Sequence, residues 1–246
     1  MKCKILILFI IISSLLFSAN LEFGFGISAG TTMEFSRVDY YAGNTIEAGS
    51  RIDSGLSLSS FLDIGANFEL PNAGALSSVS VLFETGYYYY KRVRTINEKL
   101  PEYNHKYFYH NLILGVLPKL NFDYGISLGI GAGILLPLYS ETGKRSEKSN
   151  NGLSSYFYDG YEKFNFEKIS YMYKVPIMPY IKLNLEKDFY ISELWAFKIG
   201  ANLLYNFGME FDMDNLNKDR TDRFDRYKFS SLSFEVFFGF GFGRPK

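Results

Sequence analysis

Residues 21–35 read LEFGFGISAGTTMEF, and the order of residue types in this stretch decides the fold. Leu21, Phe23, Phe25, Ile27 and Ala29 occupy alternate positions, with Glu22, Gly24, Gly26, Ser28 and Gly30 between them. Successive strand side chains point to opposite faces, so this segment predicts a strand with one apolar face and one small, polar face. The alternation recurs, giving predicted strand cores at 21–35, 56–68, 79–90, 108–118, 124–138, 171–185, 195–211 and 230–242. Their charged residues are Glu22, Glu34, Asp63, Glu84, Lys174, Lys182, Lys198, Glu210 and Glu235, and every one falls on the small or polar face. A sheet that is apolar outside and charged inside belongs in a bilayer. The expected fold is all-β: an eight-stranded antiparallel transmembrane up-and-down β-barrel.

Composition agrees. The chain has 246 residues, 18% of them aromatic, with 24 Phe and 20 Tyr but one Trp. A mean hydropathy of −0.04 is too low for a helical membrane protein and ordinary for a barrel with a polar interior. Residues 1–19 read as a secretory signal peptide: Lys2 and Lys4, the apolar run Ile5–Phe17, then Ser18-Ala19. The apolar run is shorter than the ~20 residues a spanning helix needs. The barrel domain is then 20–246. Cys3, the only cysteine, lies in the predicted signal, so the mature chain is expected to have no disulfide and no cysteine-held metal. The 26 basic and 26 acidic residues balance, which argues against nucleic acid as a partner.

The connections alternate in length. Long ones fall at 37–54, 92–106, 140–168 and 212–227, short ones near 70–76, 119–123 and 186–193. Outer-membrane barrels have short periplasmic turns and longer external loops, so eight strands with both termini periplasmic make the odd-numbered, long connections external. Interface girdles of aromatics are expected at both ends of the outward rows. Phe25, Phe68, Tyr124, Trp195, Phe240 and Phe242 would mark the periplasmic edge, and Tyr87, Tyr89, Tyr171, Tyr173 and Tyr205 the outer one. In 124–138 the glycines Gly125, Gly129, Gly131 and Gly133 face inward, leaving room for large charged side chains. Pro176 and Pro179 interrupt the sixth predicted strand, where a bulge or broken ladder bond is expected.

Tyr173-Lys174-Val175-Pro176-Ile177 with Tyr180 and Lys182, the Gly129–Gly133 strand and the aromatic-rich Phe234–Phe242 resemble segments of small bacterial outer-membrane β-barrel proteins, the OmpA transmembrane domain and OmpX among them. The resemblance is architectural and carries no catalytic signature. It implies insertion by the barrel-assembly machinery, which reads an aromatic last strand, and a barrel-only form with no periplasmic domain to follow. Members commonly end on the aromatic residue, whereas Gly243-Arg244-Pro245-Lys246 follow Phe242 here.

Other motifs read as structural. Gly26-Ile27-Ser28-Ala29-Gly30 matches the hydrolase pattern G-x-S-x-G but lies mid-strand, not on a strand-to-helix turn. His105 and His110, the only histidines, fall near the outer rim, where some barrel enzymes act on lipids; ordinary interface residues are the expectation. The Asp219–Arg226 run, with Asp212 and Asp214, fails the calcium-loop spacing at Leu216. Loop 144–166 carries Tyr156, Phe157, Tyr158, Tyr161, Phe164 and Phe166, which fit either a binding surface or strands and segments continuing over the mouth.

Eight strands enclose a lumen that side chains can fill, and paired charges there form a plug. The expected lumen network is Glu22, Asp63, Glu84, Lys174, Lys182, Lys198, Glu210 and Glu235, with Arg92 and Lys119 at the rims. The function expected is non-enzymatic, with no metal and no cofactor: a monomeric outer-membrane protein of a diderm bacterium. It would contact outer-membrane lipid and display four external loops for envelope integrity, adhesion, or contact with a host or cell-surface ligand. The alternatives are a narrow channel, a soluble lipocalin-like barrel and a lipid-modifying enzyme.

Overall fold

The structure, a computed structural model, describes the backbone of residues 20–42, 45–71, 74–94, 105–150, 153–216 and 224–243. It describes side chains over 20–37, 52–71, 74–91, 107–141, 163–214 and 228–243. The expected signal segment 1–19 lies outside these residues. No described helix is long and apolar enough to cross a membrane.

The strands are β1 (Asn20–Ala42), β2 (Thr45–Glu69), β3 (Leu76–Arg94), β4 (His105–Phe122), β5 (Ile126–Asn150), β6 (Leu153–Asn165), β7 (Met178–Tyr190), β8 (Trp195–Asn206) and β9 (Phe224–Phe242). Eight of them close a ring in the order β1-β2-β3-β4-β5-β7-β8-β9, each antiparallel to its neighbours. The ladder from Phe23↔Phe242 to Tyr40↔Phe224 joins β1 to β9 and closes it. The eight-stranded antiparallel barrel expected from the alternation is the observed fold.

The ninth strand, β6, is an addition. It pairs with the outer part of β5, from Tyr139↔Asn165 to Asn150↔Leu153. The inner part of β5 pairs with β7, from Ile126↔Lys187 to Leu135↔Met178. Much of the expected long connections is therefore strand: β1 and β2 run on to Ala42↔Thr45, and most of 140–168 is the β5–β6 hairpin.

Two strand boundaries differ from expectation. The predicted strand 171–185 begins only at Met178; before it come the helix α1 (Phe166–Met172) and an irregular stretch. Asn165 caps α1, its side chain accepting from the Lys168 N–H at 3.1 Å. Proline lacks an N–H and pushes its predecessor out of the helical region, so Pro176 ends the approach and Pro179 sits at the start of the ladder. The predicted strand 195–211 stops at Asn206 because Gly208 adopts a φ of +68° and turns the chain inward. A Cβ there would collide with the carbonyl of Phe229, so only glycine fits. In the predicted strand 195–211 the odd positions, opposite Lys198 and Glu210, are the outward row, yet this turn leaves Met209 buried.

Within the ring the faces alternate as read. Leu21 and Ile27 are each 65% exposed and Ile130 64%, while Glu22 and Glu34 are 1% exposed. The exterior is that of a membrane-spanning barrel: at the end bearing the short turns Phe23, Phe25, Phe240 and Phe197 form a chain of ring contacts of 5.6–6.0 Å, and Trp195 and Phe242 a separate pair at 5.1 Å.

Ile130→Arg is expected to lower stability by ~2–4 kcal/mol, the cost of an arginine on the lipid face near mid-bilayer. Gly131→Ser faces the lumen, where a Cβ meets the flexible ends of Leu117 at 3.2 Å and Lys182 at 3.5 Å and the Val116 carbonyl at 3.2 Å. Its cost is expected to be about 1 kcal/mol. Folding yield into lipid vesicles across a urea series measures both; equal tolerance would refute the facing of β5.

Candidate functional site, the barrel lumen and its cap

The inward rows of the ring build three layers. Nearest the short turns, Lys119 of β4 lies 3.0 Å from Glu22 of β1 and 2.9 Å from Glu186 of β7. Lys198 of β8 approaches the same two carboxylates at 3.6 and 3.4 Å. Ser80 donates to Glu22 at 2.5 Å, and Asn67, Ser78, Asn121 and Ser127 extend the hydrogen bonding across β2 to β5. Small inward residues make the space: a Cβ on Gly241 would meet the Lys198 side chain, and one on Gly129 would meet Lys119 Cγ at 3.0 Å.

In the middle layer Lys182 pairs directly with Glu84, whose other oxygen accepts from the Tyr180 hydroxyl at 3.0 Å. Asp63 lines the same space, and Asn184 donates to Asn202 at 2.9 Å. Ser28 donates to Glu235 at 2.5 Å, so the serine of the G-x-S-x-G match is a mid-strand lumen contact. The gap remaining among Asp63, Glu84, Lys182, Glu186, Asn202 and Phe237 has a volume of about 10 Å³, near the minimum for one water.

The outer layer is largely apolar, although Glu34, Asp53, Asn206 and Ser231 are buried along its β1, β2, β8 and β9 wall. Above a bridge of Tyr88, Ser233 and Thr32 (2.7 and 2.8 Å), the lumen is filled by Tyr90, Tyr109, Ile113, Leu135, Met178, Leu204 and Phe229. Tyr90 and Tyr109 stack at 4.6 Å. Over them fold α1, contributing Ile169, and the segment after β8, contributing Met209 and Met213. Tyr173 and Phe211 join the two pieces through an isolated antiparallel bridge, their rings 4.3 Å apart.

Of the charges expected in the lumen, Glu22, Asp63, Glu84, Lys182, Lys198 and Glu235 lie there, all buried. Lys174 and Glu210 do not. They pair at 2.7 Å on the outside of the cap, 57% and 25% exposed, because neither belongs to a ring strand. Tyr173 is also displaced from the expected girdle into the cap interior, whereas Tyr171 stands exposed on α1. The other expected girdle residues, Phe25, Phe68, Tyr87, Tyr89, Tyr124, Trp195, Tyr205, Phe240 and Phe242, are exposed or half-exposed. Four lumen charges were missed or placed at a rim, Asp53, Lys119, Glu186 and Asp188, and Glu34, read on the polar face of its strand but not in the network, is buried there as well. The signal for Glu186 and Asp188 was present, since they continue the even-numbered row of Lys182 and Asn184. Among the described residues, eight buried carboxylates share the interior with three buried lysines.

His110 faces outward at the rim. Its Nδ1 contacts the Tyr87 hydroxyl, and its ring stacks 3.9 Å from that of Tyr139, beside Tyr89. The side chains of His105 and Arg92, the Asp219–Arg226 run and most of the aromatics of loop 144–166 lie outside the described residues. No group of metal-ligating residues able to hold an ion occurs among the described ones.

No protein-family model and no curated protein matches the chain. Among solved structures it is similar to the outer membrane protease OmpT of Escherichia coli, at 9% identity and a TM-score of 0.39, over 92% of this chain and 97% of that one. It is similar also to the outer membrane protein OprG of Pseudomonas aeruginosa, at 10% identity and a TM-score of 0.37, over 93% and 97%. A third is Ail, the attachment invasion locus protein of Yersinia pestis, at 15% identity and a TM-score of 0.30, over 89% and 98%.

Lys119→Met is expected to destabilise the barrel by ~3–5 kcal/mol by leaving Glu22 and Glu186 buried with less compensation. Adding Glu186→Gln alone, which leaves Glu22 paired with Lys198, should recover most of that loss. Urea midpoints in detergent micelles give both values, and a double variant weaker than Lys119→Met would refute the ion cluster as described.

Proposed function

We propose that this chain is an outer-membrane β-barrel of a diderm bacterium with periplasmic termini. Its function is to present extracellular hairpins and a capped mouth, with no enzymatic activity and no conduction. One observation carries this reading: an apolar exterior encloses a lumen filled by a charged layer, whose gap among Asp63, Glu84, Lys182 and Glu186 is about 10 Å³, and by an aromatic layer above it. Side chains fill an eight-stranded barrel, and crossed ion pairs between strands stiffen it. The β1–β2, β3–β4 and β5–β6 connections, and the segment between β8 and β9, all leave the same end. Those strand extensions are the surface offered to a host or cell-surface ligand. His110, bedded among tyrosines on the outer wall, fits an interface residue better than a general base. Membrane lipid on the apolar wall and the barrel-assembly machinery acting on the aromatic β9 complete the partners of a monomer.

The purified protein is expected to fractionate with outer membranes, shift in gel mobility on heating and remain silent in planar-bilayer recording. Stable open-state conductance would overturn the sealed lumen, and recovery from the soluble periplasm would overturn the membrane assignment.

Replacing residues 144–162 by a short Gly/Ser turn removes only the outer hairpin and spares α1. Folding is expected to be unchanged by heat-shifted mobility, while adhesion of expressing cells to matrix proteins is lost; retained adhesion would move the contact to another hairpin.

A further inference from the structure

The cap is built unlike the rest of the wall. On the outer side β5 continues to Asn150 and β9 begins at Phe224, but between them β7 starts at Met178 and β8 ends at Asn206. The notch this leaves is filled by residues 166–177 and 207–213, the second tied to β9 by the Glu210↔Lys228 bridge and by the Phe229 N–H to Met209 carbonyl bond at 3.3 Å. They hold each other by two backbone hydrogen bonds, Lys174 N–H to the Glu210 carbonyl at 3.0 Å and Asp212 N–H to the Met172 carbonyl at 2.8 Å. The Lys174–Glu210 ion pair is half-exposed, and such pairs contribute little. Pro176 and the positive-φ Gly208 lie at the points where these segments leave β7 and β8.

Beneath lies a largely apolar chamber with a closed floor, Glu34 and Asp53 being buried on its β1 and β2 side. Tyr90, Tyr109 and Phe229 line it, with rings 4.6 and 5.9 Å apart. The strap itself supplies the present filling, Ile169 and Tyr173, the Tyr173 ring standing 6.1 Å from that of Phe229. Below the Tyr88–Ser233–Thr32 layer the gap among Asp63, Glu84, Lys182 and Glu186 is about 10 Å³, room for about one water.

We propose that residues 166–177 form a displaceable strap over a blind well, and that the well takes an apolar molecule bearing an aromatic ring in place of Tyr173. This rests on the sealed-lumen reading for its floor. The strap opens a binding chamber, not a pore: among the described residues the strap and the 207–213 segment cover the well from outside, and the charged layers close it below.

A disulfide across the strap tests this. Tyr173 and Phe211 face each other at a narrow bridge site, where Cα atoms lie ~4.5 Å apart, within disulfide reach. Cys3 is the only native cysteine, so Tyr173→Cys/Phe211→Cys in the full chain carrying Cys3→Ser has a single pair. Lys174→Cys/Glu210→Cys, which spares both rings, is made in parallel, and heat-shifted mobility confirms folding of each. The probe is N-phenyl-1-naphthylamine, titrated by fluorescence in identical micelles before and after oxidation. The reduced forms are expected to bind it saturably at one per chain, and the oxidised forms at least tenfold more weakly. Equal binding in both states overturns the strap. Bilayer conductance that appears on reduction overturns the blind floor, and with it the sealed lumen; silence in both states, with binding lost on oxidation, supports the well.

Discussion

The structure depends on closing the backbone ladder. In hydrocarbon, unpaired amides have no water to accept their hydrogen bonds, so a sheet survives there only without edges. The β1–β9 pairing from Phe23↔Phe242 removes the edges and compels the inversion of the usual core. Once the ring closes, Leu21, Ile27 and Ile130 turn to the outside, and Glu22 and Glu34 share a narrow interior with the inward charges of the other strands.

That interior must then solve its own electrostatics. Lys119 and Lys198 each lie between Glu22 and Glu186, so four strands contribute to one cluster and no charge there depends on a single partner. The glycines of β1, β5 and β9 serve this arrangement by withholding side chains where lysine stems pass. The buried acids outnumber the buried lysines, and hydroxyls take up part of the difference: Ser80 on Glu22, Tyr180 on Glu84, Ser28 on Glu235. The outer third changes strategy: stacked aromatics under a cap do most of the filling, beside the buried Glu34 and Asp53.

The change of strategy marks where local patterning stops being informative. Period-two alternation follows from strand geometry alone, and it places Glu22, Asp63, Glu84, Lys182, Lys198 and Glu235 inside. It fails at Lys174, Glu210, Tyr173 and Met209, which kept the right parity for strands that the chain does not form. Pro176, Pro179 and Gly208 were visible as interruptions, yet an interruption does not say where the chain goes next. Leu82, Ile113, Leu117, Leu204 and Phe237 sit on the inner face although they are apolar, because a lumen is also a core and must be filled.

By itself the sequence determined the barrel: eight alternating segments, their facing and the location of most lumen charges, since each depends only on residue order along one strand. Tertiary structure decided the rest. The pairing of Lys119 with Glu22 and Glu186, and of Lys182 with Glu84, brings together residues 67–98 positions apart, and no single-strand pattern encodes which strands face across a lumen. The β6 addition, the helix α1 and the capped notch likewise arise only when β5 outgrows β7, leaving the chain between them to cover a largely apolar chamber that water would otherwise enter.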